Sequence, residues 1–181
     1  MESQKYYNRL FKLDRDQSWN DAPGKKVILS AFIDLIKNQD NKIIDIGGGN
    51  GYFINEIKKR NPINIDKSQE YYAIDISIEA TIKAIEKYKD INFMQMNAMK
   101  LIFEDDFFDI VISYGAIEHI KNPQNAIDEI YRVLKNEGLF LLMIPILVYR
   151  ILNEEQVLLR ELAGYPEYCQ KTKYHLIPFI W

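Results

Sequence analysis

Two hydrophobic periods alternate along this chain. From Lys25 to Lys37 the apolar residues Val27, Ile28, Ala31, Phe32, Leu35 and Ile36 recur at helical spacing, which predicts a helix leading into the core. Lys42 to Ile46 is a short β-branched run stopped by Gly47-Gly48-Gly49-Asn50-Gly51, after which Phe53, Ile54 and Ile57 resume helical spacing. That pattern reads as strand, glycine loop, helix. Further strands are predicted at Tyr71 to Ile76, Ile91 to Met96, Phe108 to Ser113 and Leu139 to Ile144, with helices over about 78–88 and 123–135. Pro123 stands near the start of the last helix, and Gly138 is placed where a C-terminal cap would be. Continuous apolar strands alternating with helices predict an α/β fold, a mostly parallel sheet covered on both faces. Residues 1 to 23 are polar and aromatic without a sustained period and end in an Asn-Asp-Ala-Pro-Gly loop at 20–24.

Composition narrows the partners. With 181 residues, 48% of them apolar, the chain can bury roughly 70% of its unfolded surface as one core. The single cysteine, Cys169, leaves no disulfide framework and makes the cytoplasm the expected compartment. Twenty-three Lys and Arg against twenty-six Asp and Glu give a charge of -3, so no nucleic acid is expected as partner. The charged N-terminus lacks the apolar core of a secretory signal. The apolar run from Leu139 to Tyr149, broken by Pro145, falls short of the ~20 residues of a membrane-spanning helix. No cluster of ligating residues suggests a metal.

The glycine segment carries the most chemistry. Glycines at a strand-to-helix turn allow positive φ and a close ligand approach, and the helix start that follows offers free N–H donors. The dinucleotide fingerprint G-x-G-x-x-G fails here, because from Gly47 it requires glycine where Tyr52 stands. What fits is acidic-x-Gly-x-Gly-x-Gly on Asp45, Gly47, Gly49 and Gly51. A carboxylate at that strand end repels a pyrophosphate and suits an ammonium group, the charge pattern of S-adenosyl-L-methionine. A second acid, Asp75, ends the next apolar run and suits both hydroxyls of a ribose.

These motifs, in this order, resemble a class I S-adenosylmethionine-dependent methyltransferase of the small-molecule type over about residues 25–146. The resemblance implies a Rossmann-like three-layer sandwich and S-adenosyl-L-methionine as cofactor. It implies that Asp45, Gly47, Gly49 and Gly51 form the first cofactor motif and that Asp75, with Ile76 beside it, binds the ribose. Asn97-Ala98 resembles the pair beside the adenine, and Phe108 to Ser113 the fourth strand, with Ser113 and Tyr114 at the methyl edge. Glu118-His119-Ile120 follows as in many members, and Arg132 to Gly138 resembles the turn before strand five. Glu118 and His119 are the candidate catalytic residues, since a histidine there can take a proton from the acceptor near neutral pH.

Other readings stay open. Asp75 also suits a helix N-cap, Asn97 a turn cap, and His119 a packing role. Tyr6, Tyr7, Phe11 and Trp19 are either a lid over the cleft or aromatic packing on the domain edge. Lys83, Lys87 and Lys89 read as the solvated face of a helix. The family closes its sheet with an antiparallel hairpin, and whether the roughly 35 residues after Ile146 supply it is open. Those residues, 147–181, read as a mostly helical tail and are similar to the C-terminal end of the isoprenylcysteine and phospholipid methyltransferase family. That second resemblance implies peripheral membrane contact and a lipid or prenyl-protein methyltransferase as an alternative. A cofactor-binding scaffold without turnover, and a nicotinamide oxidoreductase, are the others. The organisation expected is a lid at 1–24, the cofactor domain at 25–146 and the tail at 147–181, acting on a small-molecule acceptor. Oligomeric state and acceptor are not legible.

Overall fold

The computed structural model describes residues 2–13, 23–36, 42–61, 69–146, 173–176 and 179–180. Among these residues five helices, α1 (Glu2–Lys12), α2 (Pro23–Ile36), α3 (Tyr52–Arg60), α4 (Ile78–Lys87) and α5 (Pro123–Val133), accompany the strands β1 (Lys42–Ile46), β2 (Glu70–Asp75), β3 (Asn92–Gln95), β4 (Phe108–Tyr114) and β5 (Leu134–Met143). Three short strands follow, β6 (Pro145–Ile146), β7 (Lys173–Leu176) and β8 (Phe179–Ile180). The main sheet runs in the order β3-β2-β1-β4-β5-β7, and every pairing in it is parallel. β6 and β8 form a separate parallel pair.

Alternation along the strands explains the three layers. Ile43, Ile110, Ile112, Leu139 and Leu141 face one side, where Phe32 and Ile36 of α2 and Phe53 and Ile57 of α3 cover them. Ile44, Ile46, Val111, Phe140 and Leu142 face the other, where Ala126, Ile130 and Val133 of α5 cover them. Most of these side chains are 0–4% exposed, so β1 and β4 are buried on both faces. That double burial is why their sequences read as unbroken apolar runs. The α/β sandwich expected from the sequence is the architecture found.

Three departures have physical causes. The first is α1, where no period was read: Tyr7 and Phe11, four apart, turn one face inward, with Phe11 only 8% exposed. The second is Gly138, which does not cap α5. The helix stops at Val133, and the left-handed residue is Glu137, with φ 62°. Gly138 is instead needed for room inside β5, because a Cβ there would come within 2.7 Å of the Leu134 side chain. The third is the place beyond β5, taken by β7 in parallel register, Leu139 to Leu142 opposite Lys173 to Leu176. Of the expected mostly helical tail, 173–176 and 179–180 are strand instead, and the rest, with Arg150, the Glu154-Glu155 pair and Trp19, lies outside the described residues. No helix among the described residues is long and apolar enough to cross a membrane.

Candidate functional site

The C-terminal tips of β1 and β2 lie side by side, Ile46 opposite Ile74, and the loop after β1 folds back over both. The backbone N–H groups of Gly47 and Gly48 each donate to the Ile74 carbonyl at 2.9 Å, which draws the loop down onto the end of β2. Gly47, Gly49 and Gly51 have φ of 78°, 55° and 77°, so all three glycines of the acidic-x-Gly-x-Gly-x-Gly pattern occupy the left-handed region. Space is equally restrictive. A Cβ at Gly47 would overlap the Ala116 methyl group, and one at Gly51 would come 2.6 Å from the Phe93 ring. The side chain of Asn50 accepts the Tyr52 N–H at 3.1 Å and starts α3.

Asp75 joins this loop directly. Its Oδ2 accepts the Gly49 N–H at 2.9 Å and its Oδ1 the Ser77 N–H at 2.8 Å. Burial pushes its carboxyl above the usual carboxylate range, opposed by the backbone N–H groups of Ser77, Gly49 and Ile76. A desolvated carboxylate met by these backbone donors still has lone pairs to offer, and a vicinal diol supplies the matching donors. Asp45, by contrast, is 1% exposed and lies beneath the loop, where a Cβ on Gly48 would come 3.2 Å from its Oδ2. The glycine backbone therefore stands between its carboxyl and the mouth. The cradle left by the glycines and the placement of both acids fit an adenosine-type cofactor with a cationic amino-acid end.

Opposite this loop, Gly115 (φ 64°) turns the chain out of β4 into the single 3₁₀ turn Ile117–His119. The Glu118 side chain is 20% exposed and that of His119 50%, with Glu118 Oε1 3.9 Å from His119 Nε2. Burial raises the Glu118 carboxyl, and the neighbouring His119 lowers it in part. Helix α1 closes the third side. Its Phe11 ring would sit 3.2 Å from a Cβ on Gly49, and Tyr7 stacks at a tilt against His119 with ring centroids 6.2 Å apart. The Tyr7 hydroxyl is raised by burial first and then by Tyr6, Asp75 and Glu118, which places it between the two halves of the site.

Not every predicted residue joins the mouth. Gly47, Gly49, Gly51, Asp75 and Ile76 gather at the strand tips, with Glu118 and His119 across from them. Ser113 is fully buried, and its hydroxyl donates to the Ile46 carbonyl at 3.1 Å, bracing β4 against the end of β1. Tyr114 stacks on Phe53 at 4.7 Å, beneath the loop. Asn97 is exposed and its Oδ1 accepts the Met99 N–H at 3.0 Å, the geometry of a turn cap, while Ala98 packs on the α5 side of the sheet. Lys83 is not merely solvated, since its ammonium donates to the Phe11 carbonyl.

One contributor escaped the sequence reading. Asn8 of α1 accepts the Ser77 hydroxyl at 2.8 Å, and the same hydroxyl oxygen accepts the Ala80 N–H as the N-cap of α4. Ser77 is legible as a cap. Asn8, 69 positions away, leaves no local signal.

Comparison with known proteins follows the same outline. The family model described as a methyltransferase domain matches residues 44–142. The chain is similar to the chloroplastic 2-methyl-6-phytyl-1,4-hydroquinone methyltransferase of Arabidopsis thaliana, 30% identical over 115 residues, 61% of this chain and 32% of that protein. It is also similar to the ubiquinone/menaquinone biosynthesis C-methyltransferase of Campylobacter jejuni, 30% identical over 138 residues, 75% of this chain and 56% of that protein. The chain thus spans between about a third and just over half of these relatives' lengths. Among solved structures, the YcgJ protein of Bacillus subtilis shares the fold with a TM-score of 0.62 at 24% identity, covering 82% of this chain and 63% of that one. A chain from Methanococcus maripaludis, provisionally classed as an S-adenosyl-L-methionine-dependent methyltransferase, shares it with a TM-score of 0.68 at 17% identity, covering 95% and 88%. The second resemblance, to isoprenylcysteine methyltransferases, falls beyond the matched family segment.

Proposed function

This chain belongs to the class I S-adenosylmethionine-dependent methyltransferase family, and from that premise we propose that it transfers a methyl group to a small-molecule acceptor. The carrying observation is the junction of the glycine loop with Asp75, in which the middle one of three left-handed glycines, Gly49, donates its N–H to Oδ2 of the desolvated Asp75 carboxylate. The names of the curated relatives, which specify hydroquinone and quinone-biosynthetic substrates, support a small organic acceptor.

When bound, S-adenosylmethionine supplies a methyl carbon on a positive sulfur: the acceptor atom bonds to that carbon as the carbon–sulfur bond breaks, and the electron pair stays on sulfur. The chain's own contribution is placement. Gly47, Gly49 and Gly51 leave room for the ligand, Asp75 orients the ribose, and Asp45 favours a cationic end through the loop. Ile76 borders the nucleoside side. Ser113 keeps the β1 and β4 tips together, and Tyr114 supports the loop through Phe53. The Glu118–His119 pair receives the proton that an oxygen or carbon acceptor gives up. Positioning of this kind accounts for most of the rate when the leaving group is already activated.

Calorimetry with S-adenosylhomocysteine tests the donor half, with binding expected for the native chain and a large loss for Asp75→Ala. Equal affinity of the two proteins overturns the assignment of the ribose acid.

A further inference from the structure

The mouth of the site continues into a hollow of about 290 Å³ lined by Ser3, Tyr6, Tyr7 and His119. Three of its four walls are aromatic. Tyr6 and Tyr7 meet edge to face with centroids 5.1 Å apart, and Tyr7 and His119 lie at 58° to one another. Such a set presents both ring faces and ring edges, which suits a flat ring better than a flexible chain. The volume lies at the small end of the roughly 300–1,000 Å³ of small-molecule sites, enough for one or two rings.

Charge selects further. Glu118 Oε1 lies 3.9 Å from Nε2 of the His119 wall, and Phe11, four residues along α1 from Tyr7, packs over Gly49, so the hollow adjoins the donor loop as well as the acidic turn. A carboxyl group beside aromatic walls attracts an ammonium, but an ammonium has no free electron pair and is repelled by the positive sulfur it must approach. A neutral hydroxyl-bearing ring avoids that repulsion, and any negative charge it develops during attack is drawn towards the same sulfur. Tyr7 meets both other aromatic walls, Tyr6 with ring centroids 5.1 Å apart and His119 at 6.2 Å, which makes it the side chain placed to set the ring's orientation.

From these features, and resting on the methyl-transfer reading above, we infer that the hollow between α1 and the 3₁₀ turn is the acceptor site, that it takes a neutral hydroxylated aromatic ring, and that Tyr7 is the positioning residue for that ring. The site is then completed by α1, an element outside the segment matched by the family model.

Binding measured by calorimetry in saturating sinefungin, a cofactor analogue that carries an ammonium in place of the sulfonium and has no methyl group to transfer, tests this without requiring turnover. The probes are 1-naphthol, cyclohexanol and butylamine. 1-Naphthol should bind at least tenfold more tightly than either of the others. Tyr7→Ala should weaken 1-naphthol about tenfold, Tyr7→Phe should restore most of the affinity, and S-adenosylhomocysteine binding should stay within about twofold in both variants. Butylamine or cyclohexanol binding as well as 1-naphthol overturns the ligand class. Unchanged 1-naphthol affinity in Tyr7→Ala overturns the role of Tyr7, as does a failure of Tyr7→Phe to restore it. Should S-adenosylhomocysteine itself fail to bind the native chain, the methyl-transfer reading falls rather than the acceptor assignment alone.

Discussion

The two sides of the mouth are built differently. The donor side is made of strand tips and backbone, with β1 and β2 in fixed register, three glycines in left-handed geometry and Asp75 tied into the loop by main-chain hydrogen bonds. The acceptor side is made of side chains on α1 and a single 3₁₀ turn. Among the described contacts α1 is fastened by the Asn8–Ser77 hydrogen bond, the Lys83 bond to the Phe11 carbonyl and the Phe11 ring against Gly49. A ligand whose shape is constant can be met by rigid backbone. An acceptor that differs between relatives is met more readily by a surface that can change one side chain at a time.

Substitutions should separate the two sides. The largest effect is expected for Gly47→Ala, which forces a side chain into left-handed backbone and against Ala116. Strain and overlap together should cost about 2 to 4 kcal/mol of stability, read by urea denaturation, with loss of S-adenosylhomocysteine binding. Full retention of both would show that the loop is not rigid. Next, Asp75→Asn removes the charge that the Gly49 and Ser77 N–H groups meet, and calorimetry should show donor affinity down by tenfold or more, about 1.4 kcal/mol per tenfold.

Asn8→Ala should be milder, about 1 kcal/mol for one hydrogen bond, and local. Hydrogen exchange should quicken in α1 and leave β1 and β4 unchanged. Equal acceleration throughout would join the two sides into one cooperative unit. The smallest effect is electrostatic. Burial raises Glu118 above its ordinary 4.5, so the folded state holds that proton more tightly than the unfolded chain. Its contribution to stability is then greatest at low pH and falls as pH rises from 4.5 through the raised folded value. Denaturation curves across that range should flatten in Glu118→Gln, and an unchanged slope would place the dependence on other groups.

The same contrast decides what the sequence disclosed. The donor side was readable because backbone demands leave residue-type signatures: glycine wherever φ is positive, an acid at each strand tip, unbroken apolar runs where both faces are covered. Gly138 shows the limit of that logic, since glycine also answers a need for space, here against Leu134, and the sequence does not say which need applies. Ser113 shows another limit, because a hydroxyl at a strand end serves a neighbouring carbonyl as well as a ligand. On the acceptor side the resemblance pointed to Glu118 and His119, but the N-terminal aromatics of α1 were readable only as a choice between lid and edge packing. Tyr7 and Phe11 form no extended stripe on α1, and the partners that settle their role lie on α4, the glycine loop and the 3₁₀ turn.

The order of the strands has one further consequence. Chain growth from β1 proceeds outward through β2 to β3, then returns to β4 on the other flank of β1 and continues to β5. The segments leaving β1 and β4 therefore part company above the sheet, and a crevice opens between them as a matter of topology. Evolution could exchange the coverings on the acceptor flank, helix by helix, without relocating the place where chemistry occurs.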